Sequence, residues 1–241
     1  MQIELFGSRL SPFVEKIARA LQWKGLPFRL VRPHGPRDLG RWNPTTGKMP
    51  VLEIDGRRSY DSSRIVRILD KVKSDPGLFS DDPSVARRQA FVEDWSDESL
   101  YWYAMAFRWT PVNEPATRAQ LLASLPALWR PLAAVILPRQ ILAQARAQGL
   151  ARLPMDVLEE EFSYRLDELV ELLGQRPYVF SDRPSAADLA IFGQMSLLRS
   201  GPTPQAAKMI DRRPSLAAFY DRVDRATAAH DSERRKESRA A

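Results

Sequence analysis

The first seventy residues alternate between short apolar runs and apolar positions at helical spacing. Residues 2–6 form a β-prone run, and helical spacing begins after Ser11-Pro12, where a proline in the first turn favours a helix start. Gly25 ends this helix, and residues 28–31 predict the next strand. The pattern therefore predicts a strand, a helix and a second strand in succession.

The following segment predicts a hairpin and another helix. After a polar loop rich in proline and glycine, residues 49–54 predict a third strand, Asp55-Gly56 a tight turn, and residues 57–60 the returning strand. A helix capped at residues 61–63 comes next. Its predicted buried side consists of Ile65, Val66, Ile68 and Leu69. The first domain is thus a βαβ unit followed by a hairpin and a helix.

From Pro83 onward, strand signals are scarce and helical patterns follow one another. The predicted helical stretches are 85–108, a proline-interrupted middle from 111 to 154, 155–173, 186–198 and a last helix after Pro214. We therefore predict an α/β domain over residues 1–75, a linker over 76–84 and an all-helical domain over 85–229. Residues 230–241 are polar without an apolar face, which is typical of a disordered tail.

Composition excludes several classes of protein. The 241-residue chain contains no cysteine, so it has no disulfide, cysteine nucleophile or thiolate metal site. No run of eighteen uncharged apolar residues occurs, so we expect no membrane span. The start of the chain lacks the features of a secretory signal, which makes the cytoplasm the expected location. The two histidines, His34 and His230, are too isolated to indicate a metal site.

The surplus of positive charge lies in the first domain. Residues 1–82 contain 15 basic and 10 acidic residues, whereas the remainder contains 21 and 20. The basic residues are dispersed and lack the interleaved aromatic residues that bind single-stranded nucleic acid, so we expect no nucleic acid partner. A modest local surplus suits a small anionic ligand better.

Three segments in a fixed order carry a resemblance to a known family. They are SRLSPFVEKIARALQWKGLPF at 8–28, GKMPVLEIDG at 47–56 and YDSSRIVRILD at 60–70. Together they resemble the N-terminal domain of the glutathione S-transferase family. The resemblance implies a thioredoxin-like α/β domain followed by an all-α domain, glutathione as co-substrate, no metal, and a homodimer.

The resemblance also implies a glutathione site. Pro50 matches the family's proline that follows a cis peptide bond, which turns the main chain of Val51 toward the cysteinyl unit of glutathione. Asp61-Ser62 matches the pair that holds the γ-glutamyl end, and Lys48 matches a position that faces the glycyl carboxylate. The implied glutathione-binding residues are Lys48, Met49, Pro50, Val51, Asp61 and Ser62. Taken alone, these positions also fit a loop-ending proline, a plain helix cap and a solvated lysine.

Ser11 is the implied catalytic residue, because it matches the place where several classes of the family carry serine or cysteine. A hydroxyl that donates to the glutathione sulfur would favour the thiolate, since the free thiol has a pKa of about 8.5. Serine before proline is also a common helix cap, so Ser11 has a purely structural alternative. Ser8 is the second choice for the catalytic role, and Phe6 lies about where other classes place a tyrosine.

A stripe of aromatic residues with one arginine is predicted on a helix between residues 97 and 109. In the family this helix lines the acceptor pocket beside the sulfur, and such walls suit a flat or a carboxylated electrophile. The implied acceptor-pocket residues are Phe13, Tyr101, Trp102, Met105 and Arg108. A stripe with this spacing is more often plain core.

The second half of the chain carries a structural motif. Ser185 and Asp188 have the spacing of a capping box, and the surrounding segment resembles the folding motif of the family's C-terminal domain. The stretch from 140 to 184 resembles the branch that includes failed axon connections proteins and metaxins, whose catalytic activity is in doubt. This second resemblance supports the fold more strongly than it supports catalytic activity.

Three functions fit these observations. The leading hypothesis is a glutathione transferase that stabilises the glutathione thiolate for conjugation to a small hydrophobic electrophile. A non-catalytic binding or adaptor protein with the same fold is the first alternative. A glutathione-dependent isomerase or ether-cleaving enzyme, which would use the same site, is the second.

Overall fold

Four strands form the sheet of the first domain. The computed structural model describes residues 1–35 and 37–228. The strands are β1 (Ile3–Phe6), β2 (Arg29–Val31), β3 (Val51–Ile54) and β4 (Arg57–Tyr60). Their order is β2-β1-β3-β4, with β1 parallel to β2, and β3 antiparallel to both β1 and β4. The hairpin turns at Asp55 and Gly56, whose φ angles of 48° and 80° are those of a tight hairpin turn.

Two helices of the first domain, α1 (Pro12–Trp23) and α3 (Ser62–Val72), pack against each other. Ile17 and Leu21 on α1 are fully buried, and burial of such a side chain stabilises the fold by about 1.5–3 kcal/mol. The predicted buried side of α3 is buried except at Ile68, which is half-buried. The helical spacing therefore identified the core-facing side of α3, apart from Ile68.

The second part of the chain is helical. Its helices are α4 (Pro83–Trp95), α5 (Tyr101–Arg108), α6 (Glu114–Ala123), α7 (Arg130–Gln148), α8 (Met155–Leu173), α9 (Ala186–Arg199), α10 (Pro204–Asp211) and α11 (Pro214–Thr227). Nearly all of α9 is buried, and it packs against α1 as well as against α4, α5, α10 and α11. The predicted fold class, an α/β domain followed by an all-helical domain, is confirmed. Among the helices of the described chain, none is long and apolar enough to cross a membrane.

Two short helices differ from the prediction. The polar loop before β3 contains α2 (Asp38–Trp42), whose start is fixed by the Asp38 carboxylate, which accepts hydrogen bonds from the main-chain N of His34 (2.7 Å) and of Gly35 (3.0 Å). The helix α10 was not predicted either. With 5 and 8 residues, both are too short to establish a helical period in the sequence.

Three other boundaries also differ. The predicted helix over 85–108 is divided by a π-helical segment at Ser96–Leu100. Within the predicted proline-interrupted middle, α7 continues through Pro138, because a proline removes one backbone hydrogen bond and a helix of 19 residues can accommodate that loss. Helix α4 begins at Pro83, inside the predicted linker. The predicted tail over 230–241 lies outside the described residues, as does residue 229.

Asp188 fixes the start of α9. Its carboxylate accepts hydrogen bonds from the main-chain N (2.7 Å) and the hydroxyl (2.6 Å) of Ser185, at the capping-box spacing, and from the main-chain N of Val179 (2.7 Å). The side chain is fully buried, and burial raises the pKa of Asp188 to about 7. Since α9 packs against α1, this cap supports the helix that carries Ser11 at its start.

We expect the wild-type protein to lose stability relative to Asp188→Asn as the pH rises from about 4 to about 7. The folded state keeps the Asp188 proton up to about pH 7, whereas the unfolded chain releases it near its ordinary pKa of 3.8. Folding therefore takes up a proton in this window, so the contribution of Asp188 is largest at the acidic end and is lost toward neutrality. Urea unfolding of both proteins across the window checks this, and parallel pH profiles would contradict it.

Candidate functional site

Strand register brings three loops to one edge of the sheet. Phe6 at the end of β1 registers with Val51 at the start of β3, and Val51 registers with Tyr60 at the end of β4. The adjoining segments are residues 7–11, 48–50 and 61–62. The three segments that were predicted to contact glutathione therefore leave the sheet at the same edge. We call this place the sheet edge.

Ser11 stands immediately before α1 at the sheet edge. Its backbone is extended, with φ −86° and ψ 124°, and its side chain is half-buried. The hydroxyl forms no hydrogen bond with the first turn of α1 or with any other described residue. Ser11 occupies the cap position, but its side chain does not act as a cap. The hydroxyl is thus available to a ligand.

Ser8 forms hydrogen bonds within the protein through its main chain and its side chain, whereas the Ser11 hydroxyl forms none. Its main-chain N donates to the Met49 sulfur at 3.4 Å, and its hydroxyl oxygen accepts a hydrogen bond from the main-chain N of Leu10 at 3.4 Å. The first contact ties the loop after β1 to the segment before β3. Ser8 therefore shapes the loop, whereas Ser11 presents an unbonded hydroxyl.

The segment before β3 is rigidly placed. The Met49–Pro50 peptide bond is cis, which is the geometry that the resemblance implied. Asn43, itself 2% exposed, donates from its side-chain amide to the Lys48 carbonyl at 3.0 Å. The Lys48 side chain is exposed, while Val51 is 1% exposed. Because β3 has a neighbour on each side, a ligand can meet only those main-chain groups of Val51 that the sheet leaves unused.

Asp61 has a strained backbone at the start of α3. Its φ of 72° and ψ of 123° are unusual for a residue other than glycine, and such outliers concentrate at functional sites. Its carboxylate accepts a hydrogen bond from the main-chain N of Arg64 at 2.9 Å, so the predicted helix cap is present. The remainder of the Asp61 carboxylate is exposed beside the start of α3.

Ser62 belongs to a buried cluster of charges that joins the two domains. Lys16 on α1 forms ion pairs with Glu93 (2.6 Å) and with Asp97, which lie on α4 and on the π-helical segment. The Ser62 hydroxyl donates to Asp97 Oδ2 at 3.2 Å, and the Ser63 hydroxyl donates to Glu93 at 2.7 Å. Burial raises the pKa of Asp97, and the ammonium of Lys16 opposes that shift. The other oxygen of Asp97, Oδ1, is buried without a hydrogen-bond partner in the described chain.

Sequence analysis missed this interdomain cluster. Lys16 is 0% exposed. The signal available in the sequence was a lysine among mostly apolar neighbours on α1. Glu93 and Asp97 are four residues apart, which places both on one face of a helix. Neither signal indicates which residue the charge meets, because the partners are 77 and 81 residues apart along the chain.

The predicted acceptor residues are partly brought together. The rings of Phe13 and Tyr101 are 5.0 Å apart, and those of Tyr101 and Trp102 are also 5.0 Å apart. These three side chains and that of Met105 are half-buried, whereas plain core residues would be fully buried. Two aromatic side chains of α5 therefore continue the aromatic surface that begins at Phe13, directly after Ser11-Pro12.

Arg108, at the end of α5, lines a separate cavity of about 180 Å³. The cavity lies between the loop after β1, helices α5 and α6, and the end of α9; among its lining residues are Leu10, Pro12, Arg108, Gln120, Ser196 and Gly201. Arg108 is 7% exposed, and burial lowers its pKa to about 10. Leu10 and Pro12 flank Ser11 in sequence, so this cavity adjoins the loop that carries the candidate catalytic hydroxyl.

The comparisons with known proteins agree with this architecture. A four-stranded mixed sheet followed by a helical domain is the architecture of the glutathione S-transferase fold. The family model "Glutathione S-transferase, N-terminal domain" matches residues 5–77, and "Glutathione S-transferase, C-terminal domain" matches residues 163–223. Together they match more than half of the chain. This protein belongs to the glutathione S-transferase family.

Individual relatives are distant. The chain is 23% identical over 235 residues to an isoprene-epoxide–glutathione S-transferase of Rhodococcus sp. strain AD45, covering 89% of this chain and 91% of the relative. It is 34% identical over 108 residues to glutathione transferase GST 23 of Zea mays, but this covers 41% of the chain and 48% of that relative. The first likeness therefore spans both domains, whereas the second is partial.

Solved structures show the same fold. The β-etherase LigF of Sphingobium sp. strain SYK-6 superposes with a TM-score of 0.69 at 22% identity, covering 99% of this chain and 100% of that one. A glutathione S-transferase of Methylobacterium radiotolerans, solved in complex with glutathione sulfonate, superposes with a TM-score of 0.62 at 24% identity, covering 96% and 97%. At these identities the likeness concerns the fold.

Proposed function

We propose that this protein binds glutathione along the sheet edge and stabilises its thiolate for transfer to a small hydrophobic electrophile. Family membership supports the reaction class. In this proposal Ser11 donates a hydrogen bond to the sulfur and is not itself a nucleophile. Glutathione serves as co-substrate, and no metal takes part.

The observation that carries the proposal is the unbonded hydroxyl of Ser11 at the start of α1. A thiol with an ordinary pKa of about 8.5 is mostly protonated at neutral pH. A hydroxyl donor together with the positive end of a 12-residue helix favours the thiolate over the thiol. The fraction of reactive thiolate therefore rises when the sulfur lies at this position.

The γ-glutamyl end of glutathione carries both a carboxylate and an ammonium, and the start of α3 offers a partner for each. The free main-chain N–H groups of Ser62 and Ser63, in the first turn, suit the carboxylate. The Ser62 hydroxyl oxygen, whose proton is donated to Asp97, and the exposed carboxylate of Asp61 are acceptors for the ammonium. The strained backbone of Asp61 supports a binding role at this position.

The rest of the tripeptide follows the sheet edge. The main chain of Val51 after the cis bond between Met49 and Pro50 meets the cysteinyl unit, and Lys48 meets the glycyl carboxylate. The aromatic surface of Phe13 and Tyr101 then faces the acceptor. The homodimer that the resemblance implied stays a prediction.

Calorimetric titration of the purified protein with glutathione tests the proposal. We expect saturable binding, and we expect Ser62→Ala to weaken it about tenfold, because a hydrogen bond to a charged group contributes about 1.5–3 kcal/mol. Ser84→Ala is a matched control, since Ser84 lies in the first turn of α4, another helix with an aspartate cap, and is exposed. Absence of saturable binding in the wild type would overturn the proposal. Binding without conjugation of any electrophile would instead identify a non-catalytic binding protein.

A further inference from the structure

Arg108 is a buried cation that no carboxylate of the described chain balances. Its Nη2 donates to the side-chain oxygen of Gln120 at 2.9 Å, whereas Nη1 is buried without a hydrogen-bond partner. Within the described residues, no carboxylate oxygen lies within 4.0 Å of its guanidinium nitrogens. Since an arginine with a pKa of about 10 is still protonated at neutral pH, the charge persists. A buried, unpaired charge is strongly destabilising unless something supplies the counter-charge.

The neighbouring charges do not supply it. Glu15 is the acidic residue that lines the same cavity, but its carboxylate accepts hydrogen bonds from Arg9 (2.6 and 2.8 Å) and from Arg19 (2.7 Å). Both oxygens of Glu15 are therefore engaged with other arginines. The lining residues Arg9, Glu15 and Arg108 together carry a net charge of one positive unit, which favours an anion.

A side chain at position 201 would crowd Nη1 of Arg108. A Cβ at Gly201 would lie 3.1 Å from Nη1 and 2.1 Å from the carbonyl oxygen of Leu197. Gly201 and Arg108 both line the cavity. The cavity volume of about 180 Å³ has room for a carboxylate with a ring or a short arm.

We propose that the acceptor substrate is a small carboxylate whose anionic end is bound by Arg108 in this cavity. Leu10 and Pro12 line the cavity and adjoin Ser11 in the chain, so an acceptor anchored there lies against the loop whose Ser11 hydroxyl is the candidate hydrogen-bond donor to the thiolate. The reaction part of this inference rests on the proposed transferase function. The binding part does not, because none of the residues proposed to hold glutathione at Lys48–Val51 and Asp61–Ser62 lines the cavity.

The chemistry needs no further reactant. With a carboxylated benzylic chloride, the glutathione thiolate attacks the benzylic carbon, the carbon–sulfur bond forms as the carbon–chlorine bond breaks, and chloride leaves with the electron pair. The thiol proton passes to solvent, and no group is oxidised or reduced. Arg108 holds the carboxylate throughout and touches none of the reacting atoms, so it is a binding residue.

Direct binding is measured without glutathione, with para-toluate as the probe and the uncharged para-toluamide as its isostere. We expect the wild type to bind the carboxylate at least tenfold more tightly than the amide. Arg108→Gln should abolish this preference. Gln120→Glu keeps Arg108 and places a carboxylate of the protein beside it, so it should reduce the preference for the carboxylate about tenfold. This variant provides the test if Arg108→Gln does not fold. Arg118→Gln on α6, which removes an exposed arginine paired with Glu114, is the matched control and should keep the preference.

Turnover is then compared for para-(chloromethyl)benzoate and its methyl ester. We expect the ratio of kcat/KM for acid over ester to fall about 10- to 100-fold in Arg108→Gln and to stay constant in Arg118→Gln. A wild type that conjugates the ester as well as the acid, or that binds toluate no better than the amide, would overturn the inference while leaving the transferase proposal intact. Toluate preference in a protein that does not bind glutathione would support the anion site and overturn the transferase.

Discussion

Replacing Ser11 by alanine should lower kcat for glutathione conjugation about 100- to 1,000-fold. This is the usual effect of removing one hydrogen-bond donor that stabilises an anion in an active site. The Ser11 hydroxyl has no partner in the described protein, so its removal should leave the free energy of unfolding unchanged to within about 0.5 kcal/mol. Loss of a working helix cap would instead cost about 1 kcal/mol. The combination of low activity and unchanged stability therefore separates a catalytic hydroxyl from a structural one.

Titration of the bound thiol gives the mechanistic measurement. The ultraviolet absorbance of the thiolate in the glutathione complex should appear at a pH about two units higher in Ser11→Ala than in the wild type, since one pKa unit corresponds to about 1.36 kcal/mol. Ser8→Ala is the comparison, because Ser8 was the alternative donor. A larger loss in Ser8→Ala than in Ser11→Ala would move the assignment to Ser8, and equal thiol pKa values in all three proteins would overturn the mechanism.

Replacing Lys16 by methionine should destabilise the protein by about 3–5 kcal/mol, which is the usual result of removing one partner from a buried ion pair. The substitution leaves the carboxylates of Glu93 and Asp97 buried, without a cation and close to each other. It also removes the charge that holds Asp97 beside Ser62, so we expect weaker glutathione binding in the folded fraction. Urea unfolding measures the first effect, and calorimetry at low temperature measures the second.

Two further variants make the Lys16 prediction specific. Arg58→Met removes an exposed arginine that pairs with Glu53 at 2.8 Å, and it should cost less than about 1 kcal/mol. Glu93→Gln combined with Asp97→Asn should restore much of the stability of Lys16→Met, because the uncompensated charges are then gone. A cost below about 1 kcal/mol for Lys16→Met, or no recovery in the combined variant, would show that the cluster does not hold the two domains together.

Short-range patterns predicted most elements of the first domain. The observed β4 covers the predicted residues, 57–60, because the Asp55-Gly56 turn fixes where the hairpin reverses. The start of α1 at Pro12 and the cap at Asp61 follow from equally local chemistry. Elements of five to eight residues, α2 and α10, were missed because so few residues do not establish a period.

The candidate site was only partly predictable. The order of the three family-like segments indicated Ser11, Pro50 and Asp61-Ser62, and strand register then placed these segments at one edge of the sheet. That the Ser11 hydroxyl makes no cap bond, and that Ser62 instead donates to Asp97, depends on atoms that meet only in the folded chain. No spacing along the sequence distinguishes a serine that caps its helix from one that does not.

The sequence by itself determined the strands, the longer helices, the hairpin turn and the capping box at Ser185, because these depend on contacts between residues close together in the chain. The order of its motifs indicated the family. Only the tertiary structure decided which charges are balanced. Lys16 meets two carboxylates from the other domain, whereas Arg108 meets none in the described chain. The physical reason is that segments distant in the chain determine whether a charge is buried and whether it is paired. The sequence around a single arginine on a helix is therefore the same whether or not a carboxylate packs against it.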